Sequence, residues 1–94
     1  MKLYGVLNDA LADRYFCNEY NDIFLHVIKV TSVDGTEIYG SYERLKHMQL
    51  PDHYSIEYRE HGKLNSITEF FNEWRDCTKE VYEDHRKAVI ASFK

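Results

Sequence analysis

Proline is nearly missing from this chain: one residue, Pro51, in 94. Glycine is scarce as well. Its four residues, Gly5, Gly35, Gly40 and Gly62, are isolated from one another, so no glycine-rich loop exists to cradle a phosphate. The two cysteines, Cys17 and Cys77, form neither a metal-spaced pair nor a disulfide framework. Two free thiols are the expected state, with a single bridge as the alternative. No apolar segment follows Lys2 in the manner of a secretion signal, and no run approaches the ~20 apolar residues needed to span a bilayer. A cytoplasmic protein with no membrane contact is therefore expected. A basic excess is missing too: 12 Lys and Arg stand against 16 Asp and Glu, a formal charge of −4. That argues against a nucleic-acid binder, which carries a basic face.

What is present is the composition of a folded protein. Apolar residues make up 44% and aromatics 15% of the chain, more than a disordered segment carries. The length fits one domain, residues 1–94, and a domain this small has a thin core. A surface or shallow groove is the expected working part. Eight tyrosines suit both a thin core and an interface, because each has an apolar ring and a polar tip.

The order of elements reads as α+β. Leu3, Leu7, Leu11 and Tyr15 recur every fourth residue, which predicts a helix over 3–16. The rival reading is a strand over 2–7 followed by a helix capped by Asn8 or Asp9. Residues 18–22 form a polar turn. Ile23 to Thr31 is rich in β-branched residues and predicts a strand. Asp34-Gly35 then predicts a hairpin into a second strand, Thr36 to Tyr42. Glu43 to Met48 reads as one helical turn stopped by Pro51. Tyr54 to Glu60 alternates apolar and polar, which predicts a half-buried third strand, with His61-Gly62-Lys63 as a turn. Ser66 and Glu69 fit a capping box at the start of a long C-terminal helix. Its apolar stripe runs through Ile67, Phe70, Phe71, Trp74, Cys77, Val81, Ala88 and Val89. The expected fold is thus a three-stranded antiparallel sheet packed by an N-terminal helix and a long C-terminal helix. Some 27 helical residues would span roughly 40 Å. A domain of this size is roughly 32 Å across. The helix therefore either breaks near Asp84-His85, where the stripe lapses, or projects and offers Ile90 and Phe93 to a second copy of the chain.

Three sets of residues invite a chemical reading. His47, His53 and His61 with Asp52 could hold a metal, but none has the close spacing of the common zinc motifs, and exposed loop histidines are the expected outcome. No cofactor and no metal are expected. The second set is Val27 to Thr31, Asp34-Gly35, Ile38-Tyr39-Gly40-Ser41, Arg44 and His47, with Glu73 on a later helix. Over residues 26–75 this order resembles the start of a GIY-YIG endonuclease. The resemblance implies metal-dependent phosphodiester hydrolysis by Tyr39, Arg44, His47 and Glu73. The pattern is degenerate: His26 or Ile28 stands where the first motif has Gly-Ile-Tyr, and Tyr39-Gly40 lacks the residue between. The third set is Arg75, Lys79, Arg86 and Lys87, the only candidates for the basic face of a transcriptional regulator, and acids interrupt it.

The aromatics remain. Phe70, Phe71 and Trp74 crowd one helical turn, and adjacent Phe70 and Phe71 point about 100° apart. All three rings lying in the core is the expected arrangement; the functional alternative is that one of them, with Tyr42 or Tyr82, is exposed as the anchor of an interface, with the acids Glu73 and Glu80 beside it. In size, acidity and element order the chain is similar to small phage-encoded inhibitors, anti-CRISPR proteins among them. That likeness implies a protein-binding inhibitor or regulator rather than an enzyme, with a host enzyme or complex as partner.

Overall fold

The computed structural model describes residues 3–49 and 52–93. Eight elements follow one another: α1 (Leu3–Leu11), β1 (Arg14–Cys17), β2 (Ile23–Asp34), β3 (Glu37–Gln49), β4 (Asp52–Ser66), α2 (Ile67–Glu73), β5 (Arg75–Cys77) and α3 (Lys79–Ser92). The α+β class is as expected, but the sheet has five strands rather than three, in the order β4-β3-β2-β1-β5, and every neighbouring pair is antiparallel.

The sheet is covered on both faces. Side chains alternate along a strand, so Phe16 and Cys17, or Phe24 and Leu25, point to opposite sides. On one face Phe16, Leu25, Val27, Val30, Ile38 and Tyr42 meet Leu7 and Leu11 of α1 and Phe70 of α2. On the other, Cys17, Phe24 and Leu45 meet Tyr82 of α3. Burying both faces of one sheet is how so short a chain finds core positions for its many aromatics.

Several local expectations change. The N-terminal helix ends at Leu11 instead of reaching Phe16. Asp13 adopts a left-handed backbone (φ 57°) just past the helix end, and its neighbour Ala12 donates its N–H to the Asn8 carbonyl at 2.8 Å. Left-handed residues commonly stop helices in this position. Tyr15 and Phe16 then enter β1. The polar turn at 18–22 forms as expected: the Asn18 carboxamide oxygen accepts from the N–H groups of Asp22 and Ile23. The β2–β3 hairpin also forms, with Asp34 opposite Glu37, so Gly35-Thr36 is the two-residue turn. Gly35 takes φ 62° at the first central position, the demand of a type II′ turn.

Glu43 to Met48 is strand, not a helical turn, and β4 runs straight through 61–63, where a turn was expected. The expected stop at Pro51 lies outside the described residues. Strands of 12 to 15 residues at about 3.3 Å each are roughly 40 to 50 Å long at full extension, and they make the molecule elongated, 45 × 22 × 20 Å.

The long C-terminal helix is broken, but not at Asp84-His85. Ser66 caps α2 as expected, its Oγ accepting from the Glu69 N–H at 3.2 Å. The chain then leaves the helix at Trp74 and adds β5 to the edge of β1. Thr78 starts α3, its Oγ1 accepting from the Val81 N–H at 3.2 Å. From there α3 runs unbroken past His85. It lies along the sheet rather than projecting, with Val89 fully buried, Ile90 half-buried and Phe93 exposed. Cys17 and Cys77 are free thiols on the same face of adjacent strands. No helix among the described residues is long and apolar enough to cross a membrane.

Candidate docking groove and the histidine pair

An open groove of about 600 Å³ lies on the α2 side of the sheet. One wall is the β1–β2 turn, which carries Asn18, Glu19 and Tyr20. The Asn18 bonds and a left-handed Asn21 (φ 56°) fix this turn, and it holds the Tyr20 ring out, 75% exposed. The facing wall is the end of α2 with Glu73 and Trp74. Trp74 packs against the core beside Phe70, with ring centres 6.4 Å apart. Its buried indole N–H has no acceptor among the described residues, which costs on the order of 1–3 kcal/mol. Phe71 sits edge-on to Phe70 and leaves 55% of its surface in solvent. Arg44 also lines the groove, and it shares the Glu57 carboxylate (3.4 Å) with Arg59 (3.2 Å). Glu73 accepts from the Asn65 amide at 2.9 Å. The groove is thus aromatic on its walls and acidic at Glu19 and Glu73.

Of the six residues expected at an interface, Phe71, Trp74 and Glu73 gather at this end of α2. Glu80 is exposed in the first turn of α3 and does not line the groove. Tyr42 and Tyr82 are buried, at 5% and 1% exposure, so the expectation of free rings there is corrected. Each is drawn into one of the two cores that cover the sheet. Tyr20, the most exposed large hydrophobic among the described residues, was not singled out by sequence reasoning, since a turn residue carries no periodic signal.

The four residues of the nuclease-like pattern do not meet. Arg44 and Glu73 share the groove. His47 lies two residues beyond Leu45 on β3 and so shares Leu45's side of the sheet, the α3 side. Tyr39 stacks on His61, with centres 5.5 Å apart, away from both. The basic set is also broken up: Arg86 is spent on Glu43 at 2.9 Å. Among the described residues no group of three or more His, Cys, Asp or Glu is placed to hold a metal ion. The side chains of Asp52 and His53 lie outside the described residues. Cys77 is not an activated nucleophile: burial, then the adjacent Cys17, pushes its thiol pKa up.

On the α3 side, His85 stacks on Phe24 with centres 4.1 Å apart and bonds His47, Nδ1 to Nδ1, at 2.8 Å. One of the two nitrogens must donate and the other accept, so the bond cannot form when both rings carry two protons. Burial lowers the His85 pKa, the His47 charge lowers it further, and Asp84 opposes them. Tyr54 faces His47 across the β3–β4 pair, and Asp22 lines the small pocket beside both rings. A histidine whose folded pKa is depressed leaves stability intact above the ordinary value of 6.5. Below that, the unfolded chain takes up a proton the folded one resists, and stability falls until pH passes the lowered folded value. The thermal midpoint should therefore drop as pH falls below about 6.5, and His85→Gln should flatten that slope. Thermal unfolding across this range checks it; an unchanged slope in His85→Gln would remove the pair as its cause.

No family model, no curated protein and no solved structure matches this chain.

Proposed function

We propose that this protein is a small protein-binding module, inhibitory or regulatory in role, that docks on a macromolecular partner through the groove between Tyr20 and Trp74. The observation that carries the reading is the 75% exposure of Tyr20 on one wall of that groove, opposite Trp74, with Phe71, 55% exposed, next to the groove-lining Asn72 in α2. Large rings clustered at a concave surface are the usual anchors of an interface. The occupant this surface suits is a protein segment with an apolar anchor and basic flanks. Glu19 and Glu73 supply the complementary charge and outnumber Arg44, which is partly paired with Glu57, and the whole chain carries −4.

The test is recovery of partners from the native host with three tagged forms: wild type, the double variant Tyr20→Ala/Phe71→Ala, and Phe93→Ala as a control at an exposed ring away from the groove. The proteins held by wild type should be retained by Phe93→Ala and weakened at least tenfold by the double variant, about 1.4 kcal/mol or more. Identical recovery by all three forms would refute the groove as the docking surface. Circular dichroism establishes that the double variant is folded.

A further inference from the structure

We propose that β4 pairs with β4 of a second copy, antiparallel about a two-fold axis at Tyr58, and so joins two five-stranded sheets into one continuous sheet. This does not rest on the docking role of the groove.

The two edges of the sheet are unlike. β5 offers three residues, whereas β4 offers fifteen and has a neighbour, β3, on one side only. Residues 58–61 are all exposed. An unpaired strand edge is a row of free N–H and C=O groups that templates another strand. Charge then selects what it can template. In an antiparallel self-pair centred on Tyr58, Glu57 of each copy lies opposite Arg59 of the other. A centre on Glu57 or on Arg59 would set like charges face to face, which is destabilising. Within one chain Glu57 and Arg59 already share a side of the strand, Oε1 to Nε 3.2 Å. The two-fold brings two such pairs into an alternating square of charge.

The opposite side of the strand agrees. Tyr58, 60% exposed, meets its own symmetry mate, and half-buried Ile56 lies next to it. Two rings in direct cross-strand contact are a favourable pair. The free ladder also has a natural end. Beyond Arg59 the β3–β4 register shifts, and the Glu60 carbonyl is turned inward to accept from Ser41 Oγ at 2.6 Å. Bulges commonly terminate pairing at an edge. The paired segment is therefore short, 56–60, and its interface belongs to the small, weak class. Association should be concentration-dependent and weakened by salt.

The charges give a test that discriminates. Glu57→Arg leaves Arg opposite Arg in a self-pair, and Arg59→Glu leaves Glu opposite Glu. Mixed together, the two variants restore both opposite-charge pairs in a heterodimer. Sedimentation over a concentration series should show self-association of wild type, at least tenfold weaker association of either variant alone, and recovery in the equimolar mixture. Hydrogen exchange on wild type alone should show protection of amides 56–60 rising with concentration. A wild type that stays monomeric through the series overturns the proposal. So do single variants that associate like wild type, a mixture that does not recover, or protection at 56–60 that ignores concentration.

Discussion

Gly40→Ala is expected to destabilise the protein by roughly 3 kcal/mol or more, and Gly40→Val to prevent folding. A Cβ at position 40 would fall on the carbonyl oxygen of Lys29, with Lys29 C and Val30 Cα each 3.2 Å away. All three atoms are backbone of β2, in the middle of the sheet. They cannot step aside without opening the β2–β3 ladder, and the two register shifts at Val27/Lys29 and Val30/Ser32 show why β2 comes so close there. A strand glycine at such a bend marks a close approach of backbone. Gly62, opposite Gly40, is the control. A Cβ there would meet Arg59 Cδ and the buried Tyr42 ring at 2.8 Å and Arg59 Cβ at 3.0 Å; the exposed Arg59 end can swing away and the Tyr42 ring must shift, but no backbone of a neighbouring strand is struck. Gly62→Ala should cost clearly less. Denaturant unfolding of the two alanine variants measures the difference; equal costs would mean that the Lys29 backbone yields as readily as a side chain. The same contact accounts for Gly40 after Tyr39, two letters of the nuclease-like pattern, without any chemistry.

How much could be read beforehand follows from where each signal resides. The β2 strand and its hairpin were legible because β-branched residues and Asp34-Gly35 act locally. The Ser66 cap was legible for the same reason. Glu43 to Met48 was not. Glu, Arg, Lys and Met favour helices on their own, and only tertiary partners make this stretch a strand: α3 supplies Tyr82 and Arg86 to Glu43, and β4 supplies Glu57 to Arg44. At the N-terminus, Tyr15 continues the four-residue repeat of Leu7 and Leu11, yet it faces α3 while they face the other core. Asp13 ends the helix in a role usually filled by glycine, so the stop was hidden. β5 has no local signal; three residues are strand only because β1 is there to pair. Thr78 was a readable cap, but the Trp74–Cys77–Val81 spacing masked it. The groove was half legible. Its α2 wall showed in the crowding of Phe70, Phe71 and Trp74, while the Tyr20 wall depends on how a turn is held across space.

Tyr82→Ala should be among the most damaging single changes available, about 3–5 kcal/mol, the usual cost of deleting a buried aromatic ring. Tyr82→Phe should cost less, about 1.5–3 kcal/mol, the worth of a hydrogen bond to a charged group. The ring is 1% exposed and packs among Cys17, Phe24 and Leu45, with Tyr15 and His26 at 5.1 and 5.8 Å. Its hydroxyl donates to Glu43 Oε1 at 2.7 Å, and Arg86 donates to the same oxygen at 2.9 Å. Burial first, then the Glu43 carboxylate, raises the phenol pKa far above its ordinary value, so it stays a donor at any working pH. Glu43, with its side chain 17% exposed, needs both partners, because a charge this sheltered is costly without them. The contributions therefore separate by experiment. Denaturant unfolding of the Phe and Ala forms splits bond from packing, and the Tyr82→Phe/Glu43→Gln double variant should fall short of the sum of its singles. A Phe form as stable as wild type would mean that Arg86 alone satisfies Glu43. A Tyr82 that clamps α3 to the sheet cannot also be offered to a partner, since exposing the ring would release the helix. Any loss of partner binding in Tyr82→Phe should then track its loss of stability, whereas loss in the groove variants should not.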